Sequence, residues 1–248
     1  MKTAVIITGE MRSFDRCLPT LRHHVLRHFD DMAFFVATVA DANASKANLL
    51  REIFPAAQVE VTACLEQPDC VAEMKAAGVK FPKEWEPGKI LTHEPYAISV
   101  HPQAILRQLW QNREGWRLFR EKANMGDFVR VIRVRPDLYW HHFNAGSGIW
   151  WMQDAGVHSP WWGKFGGIND RFAIMETPAA QEYFETYSNV PQLVTAGCPI
   201  HPESLIAAAT RSYRHSPLDA WFSTMRENGE MRAPEATTHE LASICFPR

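Results

Sequence analysis

The sequence lacks an excess of positive charge, a C-x-x-C pair, an apolar run long enough to cross a bilayer and any glycine-rich phosphate fingerprint. Each absence removes a class of protein. With 26 Lys and Arg against 28 Asp and Glu, nothing neutralises a long row of phosphates, so a general nucleic-acid binder is excluded and any anion site must be local. The five cysteines, Cys17, Cys64, Cys70, Cys198 and Cys245, are odd in number and widely scattered. That argues against a disulfide framework or a structural zinc site, and for small buried side chains. "AVII" near the start is too short for a secretory leader core and "MAFFVATVA" too short for a membrane span, which predicts a soluble, cytoplasmic chain without a transmembrane segment. Neither G-x-G-x-x-G nor G-x-x-x-x-G-K-S/T occurs, which disfavours a dinucleotide fold and a P-loop.

What is present suits one large core. At 248 residues, 46% hydrophobic and 22% charged, the chain reads as a single domain over 1–248. "TAVIITG" is a strand running into Gly9, and "RCLPTLRHHVLRHF" then repeats apolar residues at helical spacing. "MAFFVATVAD" is a second strand, "ANLLREIF" a helix stopped by Pro55, and "AQVEVTA" a third strand. Alternation of this kind predicts an α/β fold, with a mainly parallel central sheet flanked by helices and ligands bound beyond the carboxyl ends of its strands.

Residues 64–100 break the pattern with prolines and mixed charge, a surface excursion. A long amphipathic helix follows from Pro102. Helix-start signals stand at Thr177 and at His201-Pro202. "LDAWFSTMREN", residues 218–228, reads as one more helix, and no internal repeat is evident.

Three segments carry charge where packing alone does not ask for it. "VRVIRVRPDLYW", residues 129–140, is strand-like yet contains Arg133, Arg135 and Asp137. Side chains alternate along a strand, so Arg133 and Arg135 fall in one row, which Asp137 continues if the chain stays extended past Pro136, while Ile132 and Val134 take the other face. Buried charge without partners is expensive, so the row points to water, to itself or to a charged ligand. "TGEMRS", residues 8–13, places Thr8, Gly9 and Arg12 in the turn after the first strand, where an arginine meets phosphate or pairs on the surface. "FGGINDRFAIM", residues 165–175, offers Asn169, Asp170 and Arg171 after two glycines that let a backbone approach a ligand. A Gly-Gly turn with an Asx motif is the plainer alternative.

Weaker signals have plainer readings. His24 and His28 lack the interposed Glu of H-E-x-x-H, and His141-His142 face opposite ways on a strand, so all four read as surface histidines. The pairs Trp150-Trp151 and Trp161-Trp162 offer faces for a sugar ring, with core packing as the default.

Taken in order, "ITGEMRSFDRCLPTL", "FFVAT", "QLWQNREGW", "VIRVRPDLYW", "FGGINDRFAIM", "HPESLIAAAT" and "STMRENGE" resemble a family of GT-A-type glycosyltransferases with R-x-R-P-D and G-G-x-N-D-R-F-A motifs. The likeness spans most of the chain except residues 64–100. It implies a GT-A-like, Rossmann-like nucleotide-sugar-binding domain. The activity it implies is hexosyltransferase-like transfer of a sugar from a nucleoside-diphosphate donor to the hydroxyl of a glycan or other acceptor.

Carried over by residue, it implies Arg12 beside the nucleotide, and together with the candidates read from the segments above the expected donor site is Thr8, Gly9, Arg12, Arg133, Arg135, Asp137, Asn169 and Arg171. Asp137 matches the last acidic position of an Asp-x-Asp motif and is the metal-ligand candidate, which makes a divalent cation, Mn or Mg, the candidate cofactor. Arg135 stands where the first acidic residue would be, which leaves that cofactor open, since a guanidinium both replaces and repels a cation. Asp170, and after it Glu203, are the candidate catalytic bases. Arg226 closes over phosphate or lies on a surface helix. The alternative is a noncatalytic nucleotide-sugar or glycan-binding protein on the same fold. A nucleotidyltransferase is disfavoured, because the first turn is not rich in glycine and lysine.

Overall fold

The computed structural model describes residues 2–64, 67–81, 91–92, 99–100, 102–147 and 156–232. In chain order the strands are β1 Lys2–Thr8, β2 Met32–Val39, β3 Gln58–Cys64, β4 Leu91–Thr92, β5 Ser99–Val100, β6 Phe128–Val134, β7 Leu138–Phe143, β8 Gly156–Pro160, β9 Phe172–Met175, β10 Arg214–Leu218, β11 Ala220–Met225 and β12 Met231–Arg232. The helices are α1 Phe14–His24, α2 Leu49–Ile53, α3 Cys70–Ala76, α4 Pro102–Lys122, α5 Thr177–Phe184, α6 Thr186–Thr195 and α7 Pro202–Ala209. Among the described residues no helix is long and apolar enough to cross a membrane.

Seven strands form the central sheet in the order β10-β8-β9-β6-β1-β2-β3. Pairing is parallel throughout β6-β1-β2-β3 and between β10 and β8; β9 alone runs against its neighbours. The expected mixed α/β architecture, a mainly parallel sheet with helices over it, is therefore present. A second sheet, β12-β11-β7, is antiparallel.

Alternation along β1 divides the core. Ala4 and Ile6 join one apolar cluster with Trp116 and Phe119 of α4, whereas Val5 and Ile7 join another with Phe14 and Leu18 of α1 and Trp140 of β7. Both faces of the sheet are thus covered, which is why β1 and β2 read as unbroken apolar runs. By the same alternation Thr8 lies on the α4 side, as does Arg133 beside Val131 of β6. Two polar side chains therefore enter the layer between sheet and helix.

Three expectations change. The segment 129–140 is two strands in two sheets, β6 and β7, separated by a turn at Pro136-Asp137. Proline removes a ladder donor and bends the path, so the row of charge does not continue as a strand past Arg135. The segment 218–228 is β11 and not a helix. Pairing with β7 places Phe222 against Trp140 at 4.8 Å between ring centroids, and this burial outweighs the local pattern. The helix expected from Thr177 divides into α5 and α6 at Glu185. Within the excursion, α3 is capped by Asp69, whose side chain accepts from the Ala72 N–H at 3.0 Å. Most of the rest of 64–100 lies outside the described residues.

Helix α4 crosses β1 at Gly115, where an added Cβ would lie 2.7 Å from Thr8 Cγ2 and 2.8 Å from Ile6 Cγ2. Neither neighbour is the loose end of a long side chain, so Gly115→Ala must push the helix away from the sheet. We expect destabilisation of about 1–3 kcal/mol, read as a lower urea midpoint. An unchanged midpoint would show that α4 can shift without loss.

Candidate functional site

A cavity of about 820 Å³ opens at the carboxyl ends of β1 and β6, the edge at which parallel sheets bind ligands. Its walls come from the turn after β1 (Thr8, Gly9, Glu10 and Arg12), the end of β6 with its turn (Arg133, Arg135 and Asp137), Asp170 and Arg171 before β9, one face of α4, and the start of α7. Arg226 and Arg232 complete it from the second sheet. Seven arginines line the cavity (Arg12, Arg107, Arg133, Arg135, Arg171, Arg226 and Arg232), against four carboxylates, Glu10, Asp137, Asp170 and Glu203. Positive charge is therefore concentrated locally in the cavity although the chain's overall charge is near neutral.

The floor of the cavity is a buried polar junction. Arg133 has no exposed surface. Its Nη1 donates to the Arg171 carbonyl, and its Nε and Nη2 donate to Asn112 Oδ1 of α4 at 3.4 Å. The same Oδ1 accepts from Thr8 Oγ1 at 2.6 Å. Burial lowers the pKa of Arg133, and the charge of Asp170 opposes that shift. Gly9 follows with φ +133°, and a Cβ there would stand 3.1 Å from Pro136 Cδ. The turns after β1 and β6 are therefore pressed together.

Arg135 and Asp137 form a two-pronged pair, with Nε to Oδ1 at 2.9 Å and Nη2 to Oδ2 at 2.6 Å. Burial works against the charge of Arg135, but the Asp137 carboxylate more than offsets it and raises its pKa. Burial would likewise raise Asp137, and the guanidinium instead holds it below the usual carboxylate range. Arg12 pairs with Glu10 at 2.7 Å, both side chains about 40% exposed, a contact too solvated to fix it in place.

Asp170 and Glu203 face the same cavity and are each 4% exposed. Asp170 Oδ2 accepts from Gln108 Nε2 of α4. Burial would raise the Asp170 pKa, yet Arg171, Arg133 and Arg135 together pull it down. Glu203 goes the other way: burial, and after it the neighbouring Asp170 carboxylate, pushes its pKa well up. Glu203 Oε2 stands 2.8 Å from His201 Nδ1, and burial lowers the His201 pKa. The two carboxyls are thus shifted apart, Asp170 toward its ionised form and Glu203 toward its protonated form.

The cavity brings together Thr8, Gly9, Arg12, Arg133, Arg135, Asp137, Asp170, Arg171 and Glu203, but not Asn169. Fully buried, Asn169 donates through Nδ2 to the Trp162 carbonyl at 2.9 Å and accepts the Arg171 N–H on Oδ1, also at 2.9 Å. Its amide shapes the loop. The close approach made by the adjacent Gly167 is likewise to the backbone of Glu203, not to the cavity. Gln108 and Asn112 were not anticipated, although a buried Asn within the apolar stripe Ile105, Leu109 and Trp116 was the available signal. Arg226 lines the cavity from the end of β11, not from a surface helix.

The residues do not make a ready metal site. Both oxygens of Asp137 accept from Arg135, and among the described residues no three His, Cys, Asp or Glu side chains gather as ligands. His141 and His142 contact Ser223 at 2.8 Å and Asp219 at 3.3 Å. Trp162 is buried and donates to the Ala220 carbonyl at 2.7 Å, as core packing requires; Trp150 and Trp151 lie outside the described residues.

No family model and no curated protein matches the sequence. Among solved structures it is similar to a mannosyltransferase, PcManGT from Pyrobaculum calidifontis, in complex with GDP-Man and Mn2+, at 11% identity and TM-score 0.43 over 87% of this chain and 54% of that one. Mouse xyloside xylosyltransferase 1, in its apo form, gives 10% identity and TM-score 0.45 over 88% and 85%. The glycosyltransferase GlyE of Streptococcus pneumoniae TIGR4 gives 8% and 0.45 over 88% and 45%. The chain thus spans about half the length of the first and third.

The opposed shifts give a measurable pH effect. Glu203 has a folded pKa above its ordinary 4.5, so its contribution to stability is complete below that value and is lost as pH rises through the folded value. Glu203→Gln cannot ionise beside Asp170 and His201. Relative to the wild type it should gain melting temperature progressively as pH rises above 4.5; parallel curves would mean that Glu203 titrates like a solvated carboxyl.

Proposed function

We propose that the chain is a glycosyltransferase that moves a sugar from a nucleoside-diphosphate donor to an acceptor hydroxyl. The observation that carries this reading is one cavity with two kinds of wall: a surplus of arginines at the carboxyl ends of β1 and β6, and a buried ionised carboxylate, Asp170, across from them. A diphosphate suits the first wall, because guanidinium matches phosphate oxygens in charge and geometry. A hydroxyl about to lose a proton suits the second.

In the reaction the bond between the anomeric carbon and the diphosphate oxygen breaks, and that carbon bonds to the acceptor oxygen. The electron pair leaves with the nucleoside diphosphate, whose growing charge the arginines stabilise. Asp170 takes the acceptor proton. The opposed shifts make Asp170 the more readily ionised of the two carboxyls, and Gln108 donates to its Oδ2. The enclosing carboxyl ends of two central strands give these groups a rigid frame.

A second reading, a noncatalytic nucleotide-sugar or glycan binder, has one observation in its favour. Asp170 is engaged by Gln108 and lowered in pKa by three arginines, and a depressed carboxylate is a weak base.

Two variants separate the readings. Asp170→Asn should keep donor binding, followed by thermal shift across uridine, guanosine, cytidine and adenosine diphosphate sugars. It should lose transfer by about 10²–10⁴-fold, the usual share of a general base. Glu203→Gln, which imitates the protonated carboxyl, should retain most of the transfer rate. Donor binding with no sugar transfer in the wild-type protein would select the binder, and an equal loss in Glu203→Gln would move the base to Glu203.

A further inference from the structure

We propose that the anionic group of the donor is held by the Arg135 guanidinium without a divalent cation, Asp137 serving to position that guanidinium and not to ligate a metal. The inference rests on the donor reading above and makes it more specific.

Three observations lead to it. First, Asp137 presents both carboxylate oxygens to one guanidinium, at 2.9 and 2.6 Å. A cation approaching the remaining lone pairs would stand beside a fixed positive charge, and like charges so placed repel strongly where water is scarce. Second, the pair is rigid where it needs to be. Arg135 is held from behind by its own backbone N–H, which donates to the Arg171 carbonyl at 3.2 Å, and Asp137 by its carbonyl, which accepts from the Met225 N–H at 2.8 Å. The fork is therefore built into the junction of the two sheets. Third, 27% of the Arg135 side chain remains exposed against 14% of Asp137, and both line the cavity. The cation, not the carboxylate, is the more accessible member of the pair.

A guanidinium carries five N–H donors, and Asp137 uses two of them. The others are left for phosphate oxygens, with Arg12 and Arg226 lining the same cavity to share the second phosphate. Positive charge placed this way supplies what a bridging metal ion supplies elsewhere, without a ligand set that this chain lacks among its described residues.

The test uses the full chain and inorganic pyrophosphate, titrated by calorimetry in EDTA and again with magnesium chloride, alongside uridine and guanosine diphosphate. Pyrophosphate is expected to bind in EDTA and to gain nothing from magnesium. Arg135→Ala should weaken it by about tenfold or more, Arg135→Lys by less, and Asp137→Asn should still bind in EDTA because the cation remains. Circular dichroism of each variant confirms that it folds. Binding that appears only with magnesium, and is abolished by Asp137→Asn, would overturn the proposal. So would pyrophosphate binding indifferent to Arg135→Ala, or none in either buffer. Pyrophosphate bound through Arg135 while every nucleotide fails would uphold the cation-free anion site and sink the donor reading instead.

Discussion

Everything at this site depends on one buried charge. Arg133 has no exposed surface, and a guanidinium in that position is tolerable only if its donors are met and its charge is balanced nearby. The partners are the Arg171 carbonyl and Asn112 Oδ1, which belong to the loop before β9 and to α4. Through these bonds a strand end, a helix and a loop are brought into register around one side chain. Asn112 extends the constraint to β1 by accepting from Thr8. The balancing charge includes Asp170, so the residue that offsets the charge of the floor is also the proposed base. Removing Arg133 would free three elements at once, which is why its effect would not be a local one.

The second constraint is the change of direction at Pro136. Were β6 to run on, Arg135 and Asp137 would lie along a ladder. Because the chain turns there, they fold onto each other as a fork, and β7 leaves to form another sheet. That sheet returns β11 to the cavity and with it Arg226. One proline thus determines both the geometry of the Arg135–Asp137 pair and the arrival of a third wall. A Cβ at position 9 would stand 3.1 Å from Pro136 Cδ, a tight contact, and φ +133° is a conformation that glycine adopts without the strain it would impose on an L side chain.

The sequence made parts of this legible for identifiable reasons. β1, β2 and α4 were readable because burial on both faces, or on one stripe, leaves an unmistakable period. Arg133 was readable as charge in an apolar strand, whereas the row through Arg135 and Asp137 was not, because the turn at Pro136 folds the two onto each other. By contrast β11 was read as a helix, since "AWFSTM" is too short for periodicity to choose, and its strand form comes from a partner 80 residues away, β7. Asn169 was taken for a ligand group because Asn beside Asp and Arg looks functional; its actual partners, the Trp162 carbonyl and the Arg171 N–H, belong to a loop whose shape only the fold reveals. Gln108 and Asn112 sit on a helix whose register was clear, yet which of its polar residues faces a strand end is a tertiary fact.

The arginines and the carboxylates finally bear on each other. The arginines lower the Asp170 pKa and make it a weak base, while burial raises that of Glu203 beside it. A diphosphate among those arginines adds negative charge close to Asp170 and offsets the field that depresses it. The Asp170 pKa must then rise, since a nearby anion disfavours a second one. In the proposed reaction the base therefore gains strength when the donor arrives, and is a poor proton acceptor without it. Under the proposed function, the low basicity that favours a mere binder is thus relieved by the donor itself.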